Sequence, residues 1–317
     1  MITTTNKHEC TRIRFLPQEA QFRYTSGHKN LIIYFCILIF TFLFGCVPSA
    51  QKPLKICPGK ASAAEALAQL RLQSQNMTPI FAKGNCSLLI DPQEPKQNLS
   101  IRVFLVKPPY EMFMQCDVGV VQKAVIIGSN EKEFWMAAKP NEIDSYWWGL
   151  WTEQDSSAGI MINPRTLLEA LGIAEIDTNA DWTLSNEGAF DILTKKEGGV
   201  TVKRIYIYCC EYRVRKIEYF DKDEQGIAVM ELDNYKQVAE GFFVPTSIKI
   251  STFPNNAERA TQNAERSGGE FNLSISLDTI RPANEKEKKF RIVRDPNPKG
   301  FKHIYKIING RQVEQNQ

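Results

Sequence analysis

Histidine is almost missing from this chain. Only three occur in 317 residues, and two of them, His8 and His28, stand before the one long apolar run. A Ser-His-Asp or Cys-His machine would have to be built on His303, which sits between Lys302 and Ile304 near the C-terminus, the setting of a surface residue. No CxxC spacing occurs, which removes the usual signal for a thiol-redox pair or a zinc site. Glycine-rich phosphate loops, HExxH and GxSxG are absent as well. The acidic group Asp221, Asp223 and Glu224 precedes Gly226 without the alternating ligands of a calcium loop and reads as a solvated turn. The expectation is therefore a protein that is not an enzyme, with no cofactor and no metal.

Charge of one sign is also lacking. Residues 1–45 hold five of the 39 Lys and Arg and two of the 36 Asp and Glu, so the remainder balances at 34 of each. There is no basic footprint for nucleic acid.

What the sequence does have is Leu31 to Cys46, LIIYFCILIFTFLFGC. Arg23, His28 and Lys29 precede it, and it ends in Leu43-Phe44-Gly45-Cys46. A charged flank, a greasy core and a small residue at the cut are the order of a secretory signal. A Cys directly after the small residue resembles the bacterial lipobox, in which that Cys is acylated and becomes the first mature residue. Cleavage and lipidation at Cys46 is the expectation. An uncleaved membrane anchor is the alternative, although the run is shorter than the ~20 residues that span a bilayer comfortably. Residues 1–45 are set apart as extension and signal, and 46–60, with Pro48, Pro53 and Pro58, read as a tether.

The body begins at a capping box, Ser62 to Glu65, which predicts a helix with Ala63, Leu67 and Leu70 on one face. From Ile80 the period changes to two, and the chain reads as about eleven short strands joined by Gly, Pro and Asn turns. Ile101, Val103 and Leu105 are expected on one face of the second strand. Asn163-Pro164-Arg165 starts a second, greasy helix with Leu167, Leu168 and Leu171, stopped by Gly172. Residues 254–269 read as a polar excursion, and Phe271 to Asp278 as a strand with one wet face. Cys209 and Cys210, taken as neighbours on a strand, should face opposite sides: a metal or redox pair, or one buried and one exposed or disulfide-bonded. Residues 284–317 carry charge and Pro and are expected to be a loosely ordered tail.

The sum is a mainly β protein with a few helices. A single large curved antiparallel sheet, an incomplete β-barrel over residues 61–283, has a concave apolar face for the helices to cover. This order resembles the LolA/LolB-like family of bacterial lipoprotein carriers and receptors. The resemblance rests on Lys107-Pro108-Pro109 at a strand end, Glu133-Phe134-Trp135 in a strand, and Gly241-Phe242-Phe243-Val244-Pro245 from turn to strand. It implies a helical lid over an apolar cavity that binds acyl chains of lipoproteins or lipids. Candidate cavity and lid residues are Leu67, Leu70, Phe104, Trp135, Trp147, Trp148, Trp151, Leu167, Leu168 and Leu171. Ordinary core packing is the alternative for each. The partners implied are a membrane, through the anchor, an acyl lipid or lipoprotein, and other envelope proteins. Val47 after the Cys, rather than Asp, leans towards the outer membrane, facing the periplasm. A structural envelope lipoprotein with a self-filled core is the second reading.

Overall fold

The computed structural model describes residues 54–89, 96–139, 144–153, 164–173, 176–253, 271–309 and 311–315. The apolar run, Cys46, the helix start at Asn163 and the polar excursion 254–269 lie outside the described residues. Residues Leu54–Gln317 form one compact unit. Its helices are α1 (Ala63–Gln75), α2 (Pro164–Ala170) and α3 (Glu285–Lys289). Its strands are β1 (Ile80–Leu89), β2 (Gln97–Lys107), β3 (Glu111–Val118), β4 (Val121–Ser129), β5 (Glu133–Ala138) and β6 (Ser145–Leu150) before α2. After it come β7 (Asp181–Glu187), β8 (Phe190–Glu197), β9 (Val200–Tyr208), β10 (Arg213–Phe220), β11 (Gly226–Ala239), β12 (Phe242–Thr252) and β13 (Phe271–Pro282), and then β14 (His303–Ile308) and β15 (Arg311–Glu314).

All fifteen strands belong to one open sheet, ordered β15-β14-β6-β5-β4-β3-β2-β1-β13-β12-β11-β10-β9-β8-β7. The chain starts in the middle, meanders to β6, passes through α2 to the far edge at β7, and meanders back. β13 then pairs antiparallel with β1, which joins the two meanders at the centre. Sequence neighbours pair within each meander, mostly through short turns, while β12 and β13 are paired across the longer segment between Thr252 and Phe271. The central pair and the return of the tail are long-range.

Two bulges decide which side chains face the core. Between Ile101 and Val103 the β2–β3 register slips by one residue. Leu99, Ile101, Phe104 and Val106 consequently face the concave side, whereas Val103 and Leu105 turn to the back. The single face expected for Ile101, Val103 and Leu105 is corrected by that bulge. In β1 the slip falls between Lys83 and Gly84. A Cβ on Gly84 would lie 2.0 Å from the Ser276 carbonyl oxygen, so the close approach of β13 requires glycine there. Across the same slip the buried positions of β13 change from Leu273, Ile275 and Leu277 to Ile280.

The C-terminal residues differ most from expectation. Instead of a loose tail they form α3, whose Asn284 and Glu287 make a reciprocal capping box, followed by an extended arm and a strand pair. Ala283 and Ile292 are buried against Leu105, Trp135, Ala137 and Tyr146, with Phe301 and Ile304 packed beside them. β14 then pairs parallel with β6. The sheet is therefore mixed rather than wholly antiparallel. Its back face has its own small core, because scattered apolar residues in a charged arm meet the outward-facing side chains of β2 and β5.

Candidate functional site

The concave face is one continuous apolar surface, and the helices α1 and α2 are packed on it. Ser62 accepts the Glu65 N–H at 3.2 Å, and the Glu65 carboxylate accepts the Ala61 N–H at 3.2 Å. The first contact satisfies a first-turn donor that would otherwise be orphaned, and the second ties the chain just before the cap to the helix. Ala66, Leu67 and Leu70 are buried on the sheet. α2 is only 7 residues long and gains little from its own hydrogen bonds. It is held by what it buries: Leu167, Leu171 and the following Ile173 are 0% exposed. Gly172 at φ +69° closes it, with Ile173 N–H donating to the Leu168 carbonyl and Gly172 N–H to that of Glu169, both at 2.9 Å.

One acidic side chain interrupts this greasy helix. Glu169 accepts a hydrogen bond from Lys203 Nζ on β9 at 2.9 Å and another from the Tyr219 hydroxyl on β10. Lys203 also lies 4.9 Å from the centre of the Tyr219 ring. Burial raises the Glu169 pKa, but the Lys203 charge and the two hydrogen bonds outweigh it and hold the carboxyl below its ordinary value. Burial and the same carboxylate push the Tyr219 hydroxyl up. The three side chains latch α2 to the sheet by polar contacts inside an apolar boundary.

The structure divides the ten candidate cavity and lid residues. Leu67, Leu70, Phe104, Leu167, Leu168 and Leu171 meet in the concave core. Trp135 is buried in the back-face core, with Trp148 packed against it. Arg294 lies 4.2 Å from the centre of the Trp148 ring. Trp147 stacks on Tyr305 of β14, and Trp151 donates to the Asn130 carbonyl at 2.9 Å while resting on Phe134. Trp147 and Trp148 thus point to opposite sides of β6, as successive residues of one strand do, and Trp151 lies in the helical turn that follows the strand. The tryptophan that packs against the concave core is Trp182 of β7, which the sequence reading passed over. Glu169, Lys203 and Tyr219 were passed over too. The available signal was a lone acid between Leu168 and Ala170.

A disulfide joins Cys57 to Cys210 across a separation of 153 residues. Cys209 and Cys210 lie in the turn after β9 rather than on the strand, and Cys209 is a half-buried free thiol. Closing so long a loop removes unfolded-state entropy worth about 5 kcal/mol in the chain-entropy model. Cys57→Ala is accordingly expected to lower the unfolding free energy, read from a urea titration, by several kcal/mol. A loss below about 1 kcal/mol would show that the bridge only decorates a fold already closed.

On the outer face, a cavity of about 380 Å³ is lined by Asn85, Ser87, Asn98, Ser100, Ser274 and Ser276 around Cys86 and Leu99. The three Asn-x-Ser triplets, at Asn85, Asn98 and Asn272, fall on the adjacent strands β1, β2 and β13. They are the wet half of half-buried strands. Among the described residues no group of three or more His, Cys, Asp or Glu is placed to hold a metal ion, and no helix is long and apolar enough to cross a membrane.

No family model matches the chain, and no curated protein does. Solved structures are similar to it in fold. An outer membrane lipoprotein-sorting protein domain from Vibrio parahaemolyticus is 11% identical, covering 71% of this chain and 95% of that one, with a TM-score of 0.47. A LolA superfamily protein from Nitrosomonas europaea is 12% identical, covering 73% and 98%, with a TM-score of 0.45. A DUF1329 family protein from Desulfovibrio piger is 11% identical, covering 69% and 91%, with a TM-score of 0.45.

Proposed function

We propose that this chain is a lipid-anchored protein of a bacterial cell envelope, attached through Cys46 and facing the periplasm from the outer membrane. It takes up acyl chains of lipoproteins or lipids between its helices and the concave face of the sheet, and it works by burial rather than by chemistry. The observation that carries this reading is the cover on that face: a sheet-wide apolar surface is closed by α1 and by the 7-residue α2. Each methylene transferred from water to such a surface contributes about 0.8 kcal/mol, so part of one acyl chain suffices for useful affinity. The Cys57–Cys210 disulfide supports an oxidising compartment.

A specific observation favours the second reading, a structural envelope protein. Leu167, Leu171 and Ile173 are fully buried and occupy the concave face themselves. An acyl chain could enter only by displacing α2. Solvent extraction of the purified protein distinguishes the two readings. Co-purified acyl lipid, together with a change in Trp182 emission on titration with a fatty acid, is the expected result. A lipid-free protein whose emission ignores fatty acid is the outcome of the self-filled core.

A further inference from the structure

Two sulfur groups and one carboxylate converge where the segment before α1 crosses the sheet. Asp191 on β8 is fully buried. Its Oδ2 accepts the Lys60 N–H at 2.9 Å, and its Oδ1 accepts Asn186 Nδ2 at 2.7 Å and the Cys209 thiol at 3.4 Å. Asn186 also donates to the Lys60 carbonyl at 3.3 Å. A Cβ on Gly59 would stand 2.1 Å from the same Asp191 Oδ1. Residues 57–60 are therefore clasped, covalently at Cys57, by close packing at Gly59 and by polar contacts at Lys60. The free thiol of Cys209 shares the carboxylate that grips them.

Cys57 and Cys210 have Cα atoms 5.1 Å apart, and Cys209 stands one residue, about 3.8 Å, before Cys210 in the same turn. We propose that Cys209 is a second seat for Cys57, so that the clasp has two disulfide forms, 57–210 and 57–209. The exchange is redox-neutral. A base from solvent removes the Cys209 thiol proton, and the thiolate attacks Cys57 Sγ. The Cys57–Cys210 bond breaks, and Cys210 leaves as a thiolate that takes up a proton. One disulfide and one thiol are present before and after.

Asp191 is the group that keeps the 57–210 form in place. Burial, the hydrogen bond to Asp191 and that carboxylate's charge push the Cys209 thiol up, so little thiolate is present at neutral pH. The other titratable groups facing this cluster are Tyr212 from the same turn, Lys60 from the clasped segment, whose ammonium lies 5.2 Å from the centre of the Tyr212 ring, and Glu65 from α1. Movement of the bridge to Cys209 would take the thiol donor from Asp191 and reset the entry of the chain into α1.

Disulfide mapping by mass spectrometry after acid quenching tests this on the full chain. Below the thiol pKa, the rate at which the 57–209 bridge appears should rise about tenfold per pH unit. Asp191→Asn should speed it several-fold at neutral pH. Cys210→Ser, incubated with oxidised glutathione, should yield the 57–209 bridge, with glutathione released and Cys209 closed to alkylation. Two results would overturn the proposal. One is a wild-type and Asp191→Asn protein holding only the 57–210 bridge at every pH up to 10. The other is a folded Cys210→Ser protein that keeps glutathione on Cys57 beside an alkylatable Cys209.

Discussion

A chain cut after Ala283 is expected to lose cooperative folding and to aggregate. The residues removed include Ile292 and Ile307, each 3% exposed, together with Phe301 and Ile304 from the back-face core. Burying two such side chains fully and two in part stabilises by roughly 4–9 kcal/mol, comparable with the ~5–15 kcal/mol that holds a typical domain. The cut would also uncover Leu105, Trp135 and Tyr146, all under 5% exposed, and break the 2.6 Å ion pair between Arg294 and Glu133. β6, with its aromatic sequence Ser145–Leu150, would become an open edge, a template for pairing between chains. Size-exclusion chromatography and thermal unfolding followed by circular dichroism measure both effects. A truncated chain that stays monomeric and melts within a few degrees of the full one would show that the arm is an ornament. Ile292→Ala gives the graded version, a loss of about 2–5 kcal/mol with the chain length unchanged.

The arm was hard to read because its apolar residues are few and spaced irregularly among Lys286, Lys288, Lys289, Asp295 and Lys299. Neither periodicity nor composition marks Ile292, Phe301, Ile304 and Ile307 as core, since their partners lie more than a hundred residues earlier. Most of β1 to β13 was legible, because half-buried strands announce themselves by alternation and by the turns between them. β7 was not, because only Trp182 and Leu184 alternate in a strand that is otherwise exposed at a sheet edge. The fault at Val103 and Leu105 has a different cause. A bulge adds one residue to one strand, and a single sequence carries no mark of it until the partner strand is known. The helices α1 and α2 were legible from Ser62 and Pro164 at their starts and from their leucines, α3 was not, and the concave cluster of Leu67, Leu70, Phe104, Leu167, Leu168 and Leu171 follows from the first two. The tryptophans misled, since closeness in sequence along β6 is distance across the sheet.

Glu169→Gln is expected to loosen α2 without emptying the core beneath it. The substitution keeps the size of the side chain and removes the charge that Lys203 and Tyr219 address. Parting a buried pair costs about 3–5 kcal/mol. Glu169 and Lys203 retain 23% and 20% exposure, so solvent screening brings the effect to about 2 kcal/mol. That is roughly a thirtyfold shift in the opening of α2, at about 1.4 kcal/mol per factor of ten. Amide hydrogen exchange at 167–171 should rise accordingly, and fatty-acid uptake should quicken if α2 gates the concave face. The pH dependence has a definite sign. The Glu169 carboxyl is held below its ordinary value in the folded chain. Its stabilisation is therefore complete above the ordinary glutamate pKa and disappears as pH falls through the lowered one. Taken relative to the intrinsic amide rate at each pH, wild-type exchange at 167–171 should climb across that acid window, whereas Glu169→Gln should already be fast and flat on that scale. Tyr219→Phe, which removes one donor and leaves the charge pair, should fall between them. Equal exchange in all three proteins would mean that Leu167, Leu171 and Ile173 alone hold α2 down, and that the concave face opens only when the fold does.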